Sequence, residues 1–99
     1  MQNEPMSSTP IKICGLTREQ DVDACVEFGV HAVGFVMYPK SPRAVTAERA
    51  AMLAKRLPAW VSPVLLFVNP SADEVVTTAQ QVPGALLQFH GNEIGRAHV

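Results

Sequence analysis

Hydrophobic and polar residues along this chain fall into blocks that have the lengths of strands and helices. Four largely apolar runs of strand length occur, at residues 11–14, 32–37, 61–68 and 85–89. The segments between them carry apolar residues at helical spacing, which predicts the order strand–helix–strand–helix–strand–helix–strand. Strands without a polar–apolar alternation indicate a parallel sheet that crossover helices cover, with both sheet faces buried. The expected fold class is therefore α/β.

Residues that cap helices mark where each predicted helix begins. Thr17, Thr46 and Ser71 are the predicted N-caps, because a hydroxyl oxygen can accept a bond from a backbone N–H of the first turn. Gln20 and Glu74 each follow a cap by three residues and are expected to complete capping boxes. Three helices with defined starts thus separate the four strands.

Chain length and composition place these elements in one domain. With 99 residues and a hydrophobic content of 47%, the chain suits a single folded unit. A complete (β/α)8 barrel needs roughly 200–250 residues, so the pattern fits either a doubly wound sheet or half of a barrel. The polar residues 1–9 are interpreted as a disordered leader.

Charge, hydropathy and cysteine usage exclude several functional classes. The formal net charge is −1, from eight basic and nine acidic residues, and no basic cluster indicates nucleic-acid binding. No apolar run has the length of a membrane span and no apolar signal core occurs, so we expect a cytoplasmic protein without a membrane partner. Cys14 and Cys25 are interpreted as reduced thiols. The sequence has no metal-ligand spacing, so no metal site is expected, and it has no glycine-rich phosphate loop.

Polar side chains follow the predicted strands at the edge where parallel α/β folds bind ligands. Cys14 ends the first strand just before a helix N-terminus, a setting that favours thiolates, although a strand cysteine is often only a small core residue. Arg43 is either a solvated loop arginine or a fork for a carboxylate or phosphate. His90 ends the fourth strand and is either structural or in contact with a ligand. His31 lies at the opposite edge and is interpreted as structural.

Four short stretches, in matching order and spacing, make the chain resemble the phosphoribosylanthranilate isomerase family of tryptophan biosynthesis. The resemblance covers about residues 10–93 and departs from the family at Phe89, where leucine is usual. The stretches are KICGLTR at 12–18, GFVMYPKSPR at 34–43, FVN at 67–69 and QFHG at 88–91.

The resemblance implies a (β/α)8 barrel, of which this chain would form the N-terminal half. It also implies an Amadori rearrangement of N-(5-phosphoribosyl)anthranilate to 1-(2-carboxyphenylamino)-1-deoxyribulose 5-phosphate. Position by position, Cys14 matches the family's general base, Arg43 the arginine that holds the anthranilate carboxylate, and His90 a histidine that lines the substrate site. The implied partner is this phosphorylated small molecule, and no cofactor is implied. The oligomeric state stays open.

The resemblance also implies that part of the active site lies elsewhere. The family's general acid, an aspartate, and its phosphate loops come from later strands, so we expect the isolated chain to be inactive. Residues 10–93 are assigned to the barrel half and residues 94–99 to a tail outside the family. Residues 93–99 can be encoded by seven codons that, with a stop codon after them, match a widely used sequencing-library adapter from their second base onward. We interpret the tail as translated adapter, which resequencing the locus would test.

Two alternatives stay open from the sequence alone. A stand-alone flavodoxin-like binding or interaction module would share the element order, although such a module is expected to cover its last strand with a helix. Two copies could also close one barrel, which would duplicate Cys14 and Arg43 without adding the acid. The uncovered edge predicts poor solubility of the isolated chain.

Overall fold

A computed structural model describes residues 9–91, and within them the predicted order of elements is confirmed. Each predicted strand agrees with the structure to within one residue at either end. The strands are β1 (Lys12–Cys14), β2 (Ala32–Val36), β3 (Ser62–Val68) and β4 (Leu86–His90), and the helices are α1 (Glu19–Phe28), α2 (Ala47–Ala54) and α3 (Ala72–Gln81). The predicted tail at 94–99 and all but one residue of the predicted leader lie outside the described residues.

The four strands of the described region form one parallel sheet in the order β1-β2-β3-β4. Each strand therefore pairs with the next strand along the chain. Right-handed crossovers between successive neighbours place every helix on the same side of the sheet. A doubly wound sheet instead reverses its winding and carries helices on both faces. The strand order therefore favours half of a barrel over a flavodoxin-like module.

A contact between the two outer strands shows that the sheet curves. The Lys12 Nζ atom donates a hydrogen bond to Gln88 Oε1 although β2 and β3 lie between their strands. In a flat sheet the two outer strands would be about 14 Å apart. The register would also place Gln88 about 13 Å beyond the level of Lys12, measured along the strand direction. That separation exceeds the combined reach of the two side chains. The face that carries them is therefore concave, as in the interior of a barrel.

The hydrophobic core lies between the sheet and the helices. Its largest fully buried side chains come from alternate positions of the two central strands and from the helix faces opposite them. They are Val33 and Phe35 of β2, Leu65 and Phe67 of β3, Val22 of α1 and Leu53 of α2.

Burial on both faces, predicted for every strand, is confirmed only for the centre of the sheet. In β2 four of the five residues are buried, whereas all residues of β4 are exposed or half-buried. Leu86 is 58% exposed and Leu87 is 40% exposed, although they point to opposite faces. The prediction is wrong for β1 and β4 because, among the described residues, the buried core packs over the two central strands and leaves the outer strands less covered.

Two of the three predicted helix caps are confirmed. Thr46 Oγ1 accepts a hydrogen bond from the Arg49 backbone N–H at 3.0 Å. Ser71 and Glu74 form the predicted capping box, with bonds of 3.1 and 3.3 Å. None of the three helices is long and apolar enough to cross a membrane within residues 9–91.

The predicted cap at Thr17 is wrong. Helix α1 begins at Glu19, and Arg18 takes the N-cap position without a side-chain capping bond. The Arg18 guanidinium instead pairs with Asp21 at 2.9 Å. The Thr17 carbonyl accepts a 3.0 Å bond from the Arg49 side chain of α2. The residue that local spacing predicts as the cap therefore binds α2 through its backbone carbonyl, and the next residue takes the cap position.

Two arginines of the α2 region bind carboxylates of α1. Arg49 makes bonds of 2.7 and 2.9 Å to the two oxygens of Glu19, and Arg56 makes bonds of 2.9 and 2.7 Å to those of Asp23. The hydrogen bonds from Arg49 lower the pKa of Glu19 to about 2. These bidentate pairs join neighbouring helices on the convex side, away from the concave face.

Candidate active site

The carboxyl ends of the strands carry the residues that the sequence singled out. Cys14 is the last residue of β1, and His90 is the last residue of β4. The loop after β2 folds back along the sheet, because the Val45 N–H donates to the Val36 carbonyl at 3.0 Å and Ala44 bridges Val36. This fold keeps Arg43 at the same edge. In barrels of this type that edge is where ligands bind.

The Cys14 thiol occupies space that a glycine of the next strand leaves empty. Cys14 pairs with Gly34 in the β1–β2 register. A Cβ atom added to Gly34 would lie 2.7 Å from Cys14 Sγ and 3.3 Å from Cys14 Cα and Cβ. The missing side chain at Gly34 therefore sets the position of the half-buried thiol. Any larger residue there would displace it.

The Arg43 side chain lies across the backbone next to this thiol. Gly15 has φ of +87°, and a Cβ there would lie 3.0 Å from both Cδ and Nε of Arg43. The Arg43 backbone N–H donates to Ser41 Oγ at 3.1 Å, which orders the loop around it. A glycine is required at position 15 both by its left-handed backbone and by the arginine above it. The structure thus packs Arg43 against the residue that directly follows Cys14.

His90 belongs to the same concave face as Cys14. Gln88 Nε2 and His90 Nε2 lie 3.3 Å apart, two residues apart on one face of β4. Gln88 also receives the hydrogen bond from Lys12, which lies two residues before Cys14 on β1. The described contacts join His90 to Gln88 and not to Cys14.

Asn69 holds the end of β4 against the end of β3. Its backbone N–H donates to the His90 carbonyl at 3.1 Å, and its φ is +46° in the left-handed region. The Asn69 amide packs where a Cβ of Gly91 would be, with Cγ at 2.6 Å from that point. Asparagine adopts this region more readily than most other residues, because its short side chain can bond locally. Asn69 therefore positions the rim around His90.

Sequence reasoning missed three residues that build this site. Lys12, Gly34 and Gln88 lie within the family stretches, but none was assigned a role. A lysine and a glutamine within otherwise apolar strands, and a glycine at a strand centre, are the signals that single them out. Their partners lie on other strands, so spacing along the chain does not reveal the contacts.

The candidate site is an open surface of the described residues. Two clefts, of about 310 and 480 Å³, lie elsewhere, and Cys14, Arg43 and His90 line neither of them. Within residues 9–91, no group of three histidine, cysteine or acidic side chains is placed to hold a metal ion. Cys25, on α1, and His31, which was interpreted as structural, lie outside this site. Burial raises the pKa of the Cys25 thiol, and His31 Nδ1 accepts from the Ile11 N–H at 3.1 Å.

Sequence comparison identifies relatives over most of the chain. The family model for N-(5'-phosphoribosyl)anthranilate (PRA) isomerase matches residues 11–98. The N-(5'-phosphoribosyl)anthranilate isomerase of Methylibium petroleiphilum is 61% identical over 85 residues, which cover 86% of this chain and 40% of that protein. The enzyme of Dechloromonas aromatica is 55% identical over 85 residues, covering 86% of this chain and 41% of that protein. The chain thus spans about two fifths of the length of these relatives.

Solved structures agree with the sequence matches. The phosphoribosylanthranilate isomerase of Thermotoga maritima superposes with a TM-score of 0.84 at 38% identity, over 90% of this chain and 43% of that one. A structure of such an isomerase in complex with reduced 1-(o-carboxyphenylamino)-1-deoxyribulose 5-phosphate gives the same TM-score and covers 46% of that chain. The described residues therefore have the fold of the N-terminal half of this TIM barrel. The chain belongs to the N-(5'-phosphoribosyl)anthranilate isomerase family.

Proposed function

We propose that the intact protein isomerises N-(5-phosphoribosyl)anthranilate to 1-(2-carboxyphenylamino)-1-deoxyribulose 5-phosphate by an Amadori rearrangement. The observation that carries this proposal is the placement of the Cys14 thiol and the Arg43 side chain at the same carboxyl edge of the sheet, each packed against a glycine. Cys14 lies over Gly34, and Arg43 lies over Gly15, which adjoins Cys14. Membership of the family supplies the reaction for which this pair is suited.

In the proposed mechanism, Cys14 is the general base. An acid from the remainder of the barrel protonates the ribose ring oxygen, and the C1–O bond breaks to give a protonated imine. The Cys14 thiolate then takes the proton from C2, the C–H electron pair forms the C1–C2 double bond of an enolamine, and the C1–N double-bond pair returns to the nitrogen. Proton transfer from the enol oxygen to C1 gives the ketone product. A thiolate suits this step because the adjacent cationic imine acidifies the C2 proton.

Arg43 is proposed to hold the anthranilate carboxylate. A guanidinium offers two parallel N–H donors to a carboxylate, which adds orientation as well as affinity. Arg43 packs over Gly15, the residue that follows the proposed base. His90 is proposed to line the substrate site from β4. The carboxyphenyl and phosphate groups of the analogue bound by a related enzyme support a ligand of this class.

The proposed chemistry suits a reducing compartment. The reaction requires Cys14 as a free thiol, and both Cys14 and Cys25 are free in the structure. Cytosolic conditions keep such thiols reduced. We therefore place the reaction in the cytoplasm.

A hybrid barrel tests the proposal. Residues 1–91 of this chain are joined to the C-terminal remainder of the Methylibium petroleiphilum relative, and turnover is followed by the loss of anthranilate-type fluorescence. We expect the hybrid to isomerise the substrate. The 99-residue chain alone is expected to show no turnover, because it spans about two fifths of its relatives.

Variants of the two cysteines provide a matched control. Cys14→Ser in the hybrid is expected to lower kcat by 100-fold or more, since a general base contributes about 10²–10⁴-fold. Cys25→Ser alters the same residue type on α1, outside the site, and should retain kcat. An active hybrid that tolerates Cys14→Ser as well as Cys25→Ser would refute the assignment of the base.

A further inference from the structure

A chain of hydrogen bonds crosses the concave face and ends at His90. Lys12 Nζ on β1 donates to Gln88 Oε1 on β4. The other end of the same amide, Gln88 Nε2, lies 3.3 Å from His90 Nε2. The three side chains therefore connect the first strand of the sheet to the histidine at the rim of the last.

The lysine determines which way the amide points. An ammonium group has three donors and no acceptor, so it can face only the oxygen of Gln88. The Gln88 NH2 group must then face His90, and an amide NH2 group only donates. His90 Nε2 therefore accepts. In the neutral ring the proton is left on Nδ1.

We propose that Lys12 and Gln88 are positioning residues that select the Nδ1–H tautomer of the neutral His90 ring, so that Nδ1 offers the substrate an N–H donor and neither ring nitrogen has a free lone pair. This inference rests on the proposed function for its substrate. The Nε2 lone pair is engaged by Gln88, and Nδ1 carries the proton. The group it suits is an acceptor oxygen of the substrate, such as a sugar hydroxyl or the carboxylate.

The assignment removes the other candidate base from the described site. Cys14 and His90 are both able to exchange protons, and both lie on the concave face. With neither ring nitrogen free to accept, proton abstraction falls to Cys14. The Lys12–Gln88 contact thus leaves proton abstraction to Cys14 on β1 and gives His90 on β4 the role of a hydrogen-bond donor.

Nitrogen NMR of the hybrid barrel tests the form of the ring. The protein is labelled with 15N-histidine, and long-range 15N–1H spectra are recorded at about pH 8.5, above the ordinary histidine range. His90→Gln identifies the His90 signals. We expect the proton of His90 on Nδ1. His31 is a reference within the same spectrum, because its Nδ1 accepts from a backbone N–H and its proton must be on Nε2.

Two substitutions should change the His90 signals in different ways. Gln88→Glu keeps the shape of the side chain but replaces the donor by a carboxylate oxygen, so the proton should move to Nε2. Lys12→Met frees the amide to rotate, so both forms should appear. Gln80→Glu adds the same charge on the exposed side of α3 and should leave His90 unchanged.

Kinetics separate this inference from the proposed function. Gln88→Glu should lower kcat/KM about 10-fold, the effect of one lost hydrogen bond to substrate, while the thermal midpoint stays constant. Three results would overturn the inference. The first is a wild-type protein in which His90 carries its proton on Nε2. The others are a Gln88→Glu variant that retains the proton on Nδ1 and a Gln88→Glu variant with unchanged kcat/KM. If the hybrid has no turnover, the proposed function fails, and the spectra still decide the form of His90.

Discussion

Replacing Gly34 with alanine tests directly whether this glycine positions the Cys14 thiol, the proposed general base. Gly34 lies in the middle of β2 in extended backbone, which any residue can adopt. The substitution therefore adds one methyl group and no backbone strain. That methyl would lie 2.7 Å from Cys14 Sγ, closer than real Cβ contacts, and the thiol or the strand must move.

The size of the effect follows from these distances. Overpacking a buried site costs about 1–3 kcal/mol, so Gly34→Ala should destabilise the hybrid barrel by that amount. In a Cys14→Ala background the nearest atoms are at 3.3 Å, and most of the penalty should vanish. The two substitutions should therefore couple by about 1–2 kcal/mol, within the range for residues in contact. Displacement of the thiol by about 1 Å should lower kcat roughly 100-fold.

A double-mutant cycle measures this coupling. Urea unfolding is followed for the hybrid barrel with Gly34→Ala, with Cys14→Ala and with both substitutions, and kcat is measured for Gly34→Ala. Additive free energies of unfolding would refute the packing argument. A Gly34→Ala variant with normal kcat would show that the thiol position is not set by this glycine.

Four further substitutions in the hybrid barrel address the site, the helix pairing and the caps. Gly15→Ala adds a Cβ in left-handed backbone, at a cost of about 1–2 kcal/mol in the free energy of unfolding. The same Cβ displaces the Arg43 side chain, the proposed carboxylate fork, so KM should rise more than kcat falls in steady-state assays. Because the pKa of Glu19 is lowered from 4.5 to about 2, its pair with Arg49 contributes stability above about pH 4.5 that is lost as the pH falls through about 2. Arg49→Met should therefore lower the urea midpoint more at pH 7 than at pH 3, and equal effects would contradict the pairing. Ser71→Ala should cost about 0.5–2 kcal/mol, whereas Thr17→Ala, which removes no capping bond, should change the free energy of unfolding by less than about 0.5 kcal/mol.

The limits of prediction are visible at particular residues. Thr46 and Ser71 were identified as caps because a cap bonds within its own turn, so neighbouring residues carry the information. Thr17 was assigned wrongly because helix α1 begins one residue later, with Arg18 at the N-cap, and the Thr17 carbonyl binds Arg49, 32 residues away. The site shows the same contrast. Cys14 and His90 could be placed at the rim from strand ends alone, but their contacts with Gly34 and Gln88 could not.

The sequence by itself determined the order of strands and helices, the family, and the edge at which Cys14, Arg43 and His90 lie. These follow from hydrophobic periodicity, capping and motifs, which act over a few residues. Only the tertiary structure decided that the strands lie in the order β1-β2-β3-β4 around a concave face. It alone placed Arg43 over Gly15 and joined Lys12 to Gln88. Such contacts depend on which strands are neighbours and how the sheet curves, and no local pattern in the chain encodes either.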